Sequence, residues 1–462
     1  MLDLNINELK LGKRLYFLGI GGISMYAIAL FLKSKGAIVS GYDKQESETT
    51  SFLQKNGITV YFQPSENNSK GADYCICTAA IGEGNPEFDN VSKNGIKIIY
   101  RGDCLGNIID SFNNSIGISG THGKSTTSGM LSEIFLADKE KDPTIFMGAV
   151  LPSINSAYRI GKKDDIIFEA CEYKDSFLSF KPKVSVILNV SLDHTDYFKS
   201  FEQMKTSFVK FASSSEIVVA NYDCKNALEC ANKSEKNVIT YSIIDENADF
   251  YIKNIVNIDG KTKFDFFRNG HFLSSIILSV HGKHNISNAV AAASASLMCG
   301  ISIESIVLGL ENFKGIKRRF ELLGSVNGAY IYDDYAHHPD EINATLDAVT
   351  SLNSNRIICI FQPHTYTRLS YFFDDFQGIF NRAYKDYGIK TVFLPTYAAR
   401  EINKYGFDTE KLSQVVENSM FLNSLEEAAE YILKNAQKGD AYILMGAGDV
   451  TNISKRITFD NN

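Results

Sequence analysis

The chain carries no surplus of positive charge. In 462 residues, 47 lysines and arginines stand against 54 aspartates and glutamates, a formal net charge of −7. Without a basic footprint, nucleic acid is not the expected partner. There is no C-x-x-C pair among the eight cysteines, which removes the commonest spacing of a zinc or redox motif. Cys75 and Cys77, two apart in an apolar run, would face one side of a strand as small core residues in a reducing cytosol. No apolar run approaches the ~18 residues of a membrane span. The opening Met-Leu-Asp-Leu-Asn-Ile-Asn-Glu has neither a basic nor an apolar leader segment, so a cytoplasmic protein with no membrane partner is expected. Internal repeats and low-complexity segments are also missing.

What is present is a soluble, globular composition, 44% hydrophobic and 22% charged. The length exceeds one core and suggests about three domains. The most informative stretch is Gly117-Ile118-Ser119-Gly120-Thr121-His122-Gly123-Lys124-Ser125-Thr126-Thr127. It follows an apolar run and opens a segment with helical spacing at Met130, Leu131, Ile134 and Phe135. A glycine loop between strand and helix aims backbone N–H groups at a phosphate. Lys124 can then reach a terminal phosphate, and the Ser125 hydroxyl can ligate Mg²⁺. Ile118 stands where the longer G-x-x-x-x-G-K-[ST] loop has its first glycine. The shorter Gly120–Thr126 form is the one used by ligases that activate an acid as an acyl phosphate.

Alternating strands and helices predict an α/β protein of three blocks. Leu15–Leu18, the glycine turn Gly19-Ile20-Gly21-Gly22-Ile23-Ser24, a helix through Leu32 and the strand Ala37–Ser40 ending at Asp43 make a βαβ unit. Strands recur at Tyr74–Thr78 and Lys97–Tyr100. This loop could bind a dinucleotide with Asp43 on the ribose, although Ser24 replaces the third glycine, or it could be a turn without a ligand. Two phosphate-cradling loops in one chain favour two phosphorylated ligands. The expected blocks are 1–112, a Rossmann-like domain; 113–315, a P-loop ATPase domain with strands Asp165–Glu169 and Val184–Val190 and a strand-rich insertion at Ala248–Val280; and 316–462, a second Rossmann-like domain. The last has strands at Ala329–Asp333, Arg356–Phe361, Thr391–Leu394 and Ala441–Met445.

Chemistry-bearing residues gather at strand ends, the edge where open α/β sheets bind ligands. Glu169-Ala170-Cys171-Glu172-Tyr173 and Asn189–Tyr197 follow two central strands. Glu169 offers oxygen to a hard cation and His194 an imidazole to a second site. The plain alternative is that Asp193 and His194 cap a helix starting near Lys199. His281–Asn288 precedes the helix Ala289–Met298, either as N-caps or as a contact to an adenine edge. Tyr332–Pro339 places two carboxylates, two imidazoles and phenols where burial would be costly without partners. Gln362–Arg368 and Met445-Gly446-Ala447-Gly448-Asp449 close two further strands, and Arg318, Arg319 and Arg368 suit phosphate or carboxylate.

Taken together, Gly19–Ser24, Gly120–Thr126, Asn189–Tyr197, His284–Asn288, Arg318–Glu321, Asp333–Glu341, Phe361–Arg368, Tyr397–Glu401 and Met445–Asp449 resemble the Mur ligases of peptidoglycan synthesis, in that family's order. The resemblance implies an ATP-dependent ligase joining the lactyl carboxylate of UDP-N-acetylmuramate to L-alanine through an acyl phosphate, or else adding a different amino acid or a recycled peptide. It implies that the first domain holds the UDP-sugar at Gly19, Gly21, Gly22, Ile23, Ser24, Asp43 and Arg101. ATP would lie on Gly120, Thr121, His122, Gly123, Lys124, Ser125 and Thr126, with His284, Asn285, Asn288 and Asp334. Mg²⁺ or Mn²⁺ would be held by Ser125, Glu169 and His194. Lys124, His194, His337 and Arg319 would be catalytic, and His338 and Arg368 would meet the substrate carboxylate in an amino-acid-binding third domain. Cys171, Gln63 and Thr365 stand where the family often has aspartate, histidine and arginine, and the region after Arg101 differs as well. Some relatives carry a carbamylated lysine, for which Lys210 is the position in question. The rivals are a nucleotide-gated binding protein without catalysis and a nicotinamide dehydrogenase, which would have no use for the second loop.

Overall fold

The computed structural model describes residues 9–78, 80–194, 197–258, 260–352, 354–399 and 401–460. Thr195 and Asp196 of the Asn189–Tyr197 segment and Arg400 of Tyr397–Glu401 lie outside the described residues.

Three sheets follow one another along the chain. The first is all parallel, in the order Thr59–Tyr61, Ile38–Tyr42, Arg14–Leu18, Tyr74–Cys77, Lys97–Tyr100. The order reverses beside Arg14–Leu18, and the glycine turn leaves that strand into the helix Ile23–Ser34. This helix is buried from Met25 to Leu32, apolar on every side. The reason is a second neighbour: Phe31 and Tyr26 meet Phe146 and Tyr158 of the central block edge-on, so one apolar cluster runs through both blocks. Cys75 and Cys77 are buried in this sheet, and burial pushes both thiols up, Cys77 to about 11.

The central sheet has ten strands. Its middle is parallel, with Asn114–Ser119 between Val184–Ile187 and Asp165–Glu169. The insertion forms the antiparallel strands Phe250–Ile258, Lys261–Arg268 and His271–Leu278 at one end. A strand pair, Thr144–Leu151 with Ser156–Arg159, closes the other end and had no periodic signal to announce it. The expected strand Val184–Val190 stops at Ile187. Beyond it, Asn189 turns to the phosphate loop: its carbonyl accepts from Thr121 N at 3.2 Å, its Oδ1 from His122 N at 2.8 Å, and its Nδ2 donates to His122 O at 3.0 Å.

The third sheet is parallel except for its edge strand Glu321–Val326, which pairs antiparallel with Ala329–Asp334. Ala441–Met445 lies at its centre, fully buried, between Ala329–Asp334 and Ile357–Phe361. Asp333, Gln362 and Gly446 therefore leave adjacent strands at one edge.

Candidate functional site

The glycine loop is a strand-to-helix turn made possible by two residues. Gly120 has φ +140° and lies so close to Leu188 and Asn189 that a Cβ would stand 3.0 Å from the Leu188 side chain. Gly123 has φ +85° and begins the helix Lys124–Ala137. Both conformations are open to glycine and strained for other residues. Lys124 folds back over the loop. Its ammonium donates to the carbonyls of Gly120 and Thr121 and to Glu172 Oε2 at 3.0 Å. The Glu172 side chain is fully buried, and its other oxygen is 3.6 Å from His194 Nε2. Burial opposes both charges, yet each holds the other: Lys124 is raised above its ordinary value, mainly by Glu172, and Glu172 is lowered, mainly by Lys124.

Lys124, Ser125, Glu169, Cys171 and His194 line a cavity of about 910 Å³. Across it stand Arg319, Tyr335, His337, Glu341 and Arg368 of the third block, and Ile23 of the first glycine turn reaches its wall. Glu169 Oε1 accepts from Gly148 N at 2.7 Å, leaving other lone pairs toward the cavity. Asp193 and His194 do not cap the following helix. Ser200 does, accepting from Gln203 N at 3.2 Å, while Asp193 binds Arg368 Nη2 at 3.0 Å. Burial would raise Asp193, but Arg368 foremost holds it well below the carboxylate range.

A second cavity of about 320 Å³ adjoins the first, sharing His122, Gly123, Arg319 and Glu341. Thr126, His284, Asn285, Asn288 and Asp334 line it. The helix Lys283–Met298 starts from Gly282 with no side-chain cap. Asn285 is therefore not a cap; its Nδ2 donates to His281 O at 2.7 Å and that of Asn288 to Asn285 Oδ1 at 3.3 Å. Burial depresses His284 to about 4, with Arg319 adding to it. Asp334 is raised to about 6 by burial, against the pull of Arg319, and its carboxylate accepts from Phe320 N and Ala336 N.

The third block's two adjacent histidines diverge. His337 Nδ1 is 2.9 Å from Tyr335 O and 3.2 Å from Glu341 Oε2. Both partners only accept, so Nδ1 carries the hydrogen and Nε2 keeps a free lone pair. Burial lowers this imidazole to about 4, so it is neutral near pH 7. His338, expected at the substrate, lines neither cavity. Its Nδ1 accepts from Asp340 N at 3.2 Å as the cap of the helix Pro339–Val349, and its Nε2 meets Leu192 O at 3.3 Å. The ring joins the third block to the central one, with no nitrogen left for a ligand.

Arg319 Nη1 reaches Glu341 Oε1 at 3.5 Å, whereas Arg318 is tied to Asp333 at 3.3 Å and donates to Gly446 O at 2.8 Å. Of the residues expected on the UDP-sugar, Ile23 alone lines either cavity. Asp43 accepts from Gly21 N at 2.8 Å and steadies the turn, and Arg101 Nη1 donates to Ser24 Oγ at 3.1 Å. Lys210 is exposed and outside both cavities. Sequence reasoning missed Glu172, Glu341 and Asp193 as partners. Glu341 was named only as the end of the Asp333–Glu341 stretch; the signal that could have found it is its place as third helical residue after His338-Pro339, a capping box.

The chain matches three family patterns: the Mur ligase family catalytic domain over residues 14–113, the Mur ligase middle domain over 118–296 and the Mur ligase glutamate ligase domain over 318–448. It is 41% identical to the UDP-N-acetylmuramate–L-alanine ligase of Caldicellulosiruptor bescii, over 94% of this chain and 96% of that one. With the enzyme of the same name from Acetivibrio thermocellus the identity is 41%, over 100% and 98%. The crystal structure of UDP-N-acetylmuramate-alanine ligase from Thermotoga maritima superposes with a TM-score of 0.80 at 25% identity, covering 96% and 97% of the two chains. A murein peptide ligase from Psychrobacter arcticus shares the fold at 21% identity, with a TM-score of 0.70 and coverage of 96% and 98%.

Proposed function

This chain belongs to the Mur ligase family, and we propose that it joins L-alanine to the lactyl carboxylate of UDP-N-acetylmuramate with cleavage of ATP to ADP and phosphate, a step of peptidoglycan precursor synthesis. The observation that carries this reading is a cavity into which all three blocks send residues: Ile23, then Lys124 with Glu169, then His337 with Arg368. Joining a sugar nucleotide, a triphosphate and an amino acid needs such a meeting point.

An amide does not form from a free carboxylate in water, so the acid is first activated. The lactyl carboxylate attacks the ATP γ-phosphorus, the bond to the β-bridging oxygen breaks, and an acyl phosphate and ADP result. Lys124 neutralises charge on the phosphates during this transfer. The nucleotide base occupies the smaller cavity beside His284, Asn285 and Asn288, and the glycine loop separates it from the acid. Ser125, Glu169 and His194 suit a divalent cation, two oxygen donors with an imidazole, all lining the same cavity. Bound there, Mg²⁺ or Mn²⁺ would offset charge on the transferring phosphoryl group.

The amine of L-alanine then attacks the acyl carbon and phosphate leaves. His337, neutral and with Nε2 free, takes the proton from the ammonium. Arg368, held by Asp193 and lining the cavity, meets the amino-acid carboxylate with its guanidinium. We place the reaction in the cytoplasm, where ATP is available. No helix among the described residues is long and apolar enough to cross a membrane.

Purified protein given ATP, UDP-N-acetylmuramate and single amino acids should release phosphate with L-alanine and carry ¹⁸O from the lactyl carboxylate into it. Release only with a preformed peptide would reassign the chain to recycling, and label retained in the acid during turnover would end the acyl-phosphate reading.

A further inference from the structure

The P-loop lysine is already fully engaged. Its ammonium has the carbonyls of Gly120 and Thr121 and both oxygens of Glu172, at 3.0 and 3.3 Å, so every donor has an acceptor within the protein. The carboxylate that holds it is wholly enclosed, while the lysine side chain is 15% exposed toward the cavity. The same carboxylate contacts His194 on its other side, and Tyr173, the next residue, lays its ring against that imidazole with centroids 4.7 Å apart. One anion thus sits behind the two groups that face the phosphate path.

A carboxylate, like a phosphate, offers anionic oxygens that accept charge-assisted hydrogen bonds from a lysine ammonium. We propose that Glu172 is a positioning residue that stands in for the nucleotide's terminal phosphate: it holds Lys124 and His194 in place while the loop is unloaded, and yields Lys124 when a β- or γ-phosphate enters. This rests on the assignment of the loop to ATP. The arrangement makes Glu172 an intramolecular competitor of the nucleotide. Where the competent state of a site is only a fraction of the population, apparent affinity falls by that fraction. Glu172 would therefore weaken binding of ligands that reach Lys124, leave those that do not reach it unchanged, and keep the lysine from wandering between turnovers. A residue present only for packing would do none of these.

The test is calorimetric binding of ADP, a non-hydrolysable ATP analogue and AMP to the native chain, Glu172→Gln and Glu172→Asp. Glu172→Gln should bind ADP and the analogue about tenfold more tightly, as expected if the lysine is free in about a tenth of native molecules. AMP, which has no β-phosphate, should bind equally to both. The same variant should melt at a lower temperature, since Lys124 loses its charge partner, and turn over with a reduced kcat. Glu172→Asp keeps the charge with a shorter reach and should fall between the two, so it carries the test if the glutamine variant folds poorly. Weaker or unchanged ADP binding in both variants would overturn the proposal. Native protein that binds neither ADP nor the analogue would overturn the ATP assignment and the proposal with it.

Discussion

His337 and His338 stand side by side in sequence and perform unrelated tasks. The first turns Nδ1 to Tyr335 O and Glu341, leaving Nε2 open, and the second consumes both nitrogens in a cap and a bridge to Leu192. A strand end followed by Pro339 makes adjacent side chains diverge, and no composition rule says which will face the cavity. For His337 the consequence is measurable. His337→Asn should lower kcat on the order of 10²-fold, the usual worth of a general base, while ADP affinity stays near native. Because burial lowers this imidazole to about 4, the base stays competent below pH 6. The acid limb of the native kcat/KM profile should then lie near 4, and a limb near 6.5 would exclude His337 as the base.

At the level of the element, the phosphate loop was legible because its constraints are local. Two glycines are required by backbone angles, and the lysine and serine follow at fixed offsets. What packs against the loop carries no local signal, and only the family resemblance placed Asn288 at the same nucleotide. Asn189 leaves its strand early to pair with the loop backbone, and Asn288 arrives from a helix 165 residues further on, so that a Cβ on Gly123 would meet its Oδ1 at 2.7 Å. Gly123→Ala therefore faces a positive φ and a clash together. We expect a loss of about 1–2 kcal/mol from the backbone alone and weaker ADP binding, checked by chemical denaturation and calorimetry. Full stability with native ADP affinity would show that the loop tolerates a side chain there.

Across the whole molecule, His122 joins the glycine loop to the third block, 3.6 Å from Asp340 and 3.3 Å from Glu341 on the helix Pro339–Val349. Burial alone would lower it, but Asp340 and Glu341 overcome that and raise it to about 9. A raised folded value stabilises the native chain fully below the unfolded value near 6.5, and the contribution is lost as pH rises through about 9. His284, His337 and His364 are lowered to about 4, so their contribution is full above 6.5 and lost as pH falls toward 4. The melting temperature should accordingly peak near pH 6.5. His122→Ala should flatten the alkaline side between pH 6.5 and 9, and on the acid side it should also remove the stability that Asp340 and Glu341 lose on protonation; an unaltered alkaline slope would show that the bridge carries no stability.

By itself the sequence determined the local devices. Glycine offsets, apolar runs of strand length and capping residues depend on neighbours a few positions away, so the alternating α/β order, the phosphate loop and the strand-end clusters could be read directly. Only the tertiary structure decided which of those clusters share a cavity. It sent His338 to a helix cap, Arg318 to Asp333 and Arg368 to Asp193, and it enclosed Glu172 behind Lys124. Those outcomes turn on burial and on pairing between residues tens to hundreds of positions apart. A charge is priced by what surrounds it after folding, and that surrounding is absent from the linear order.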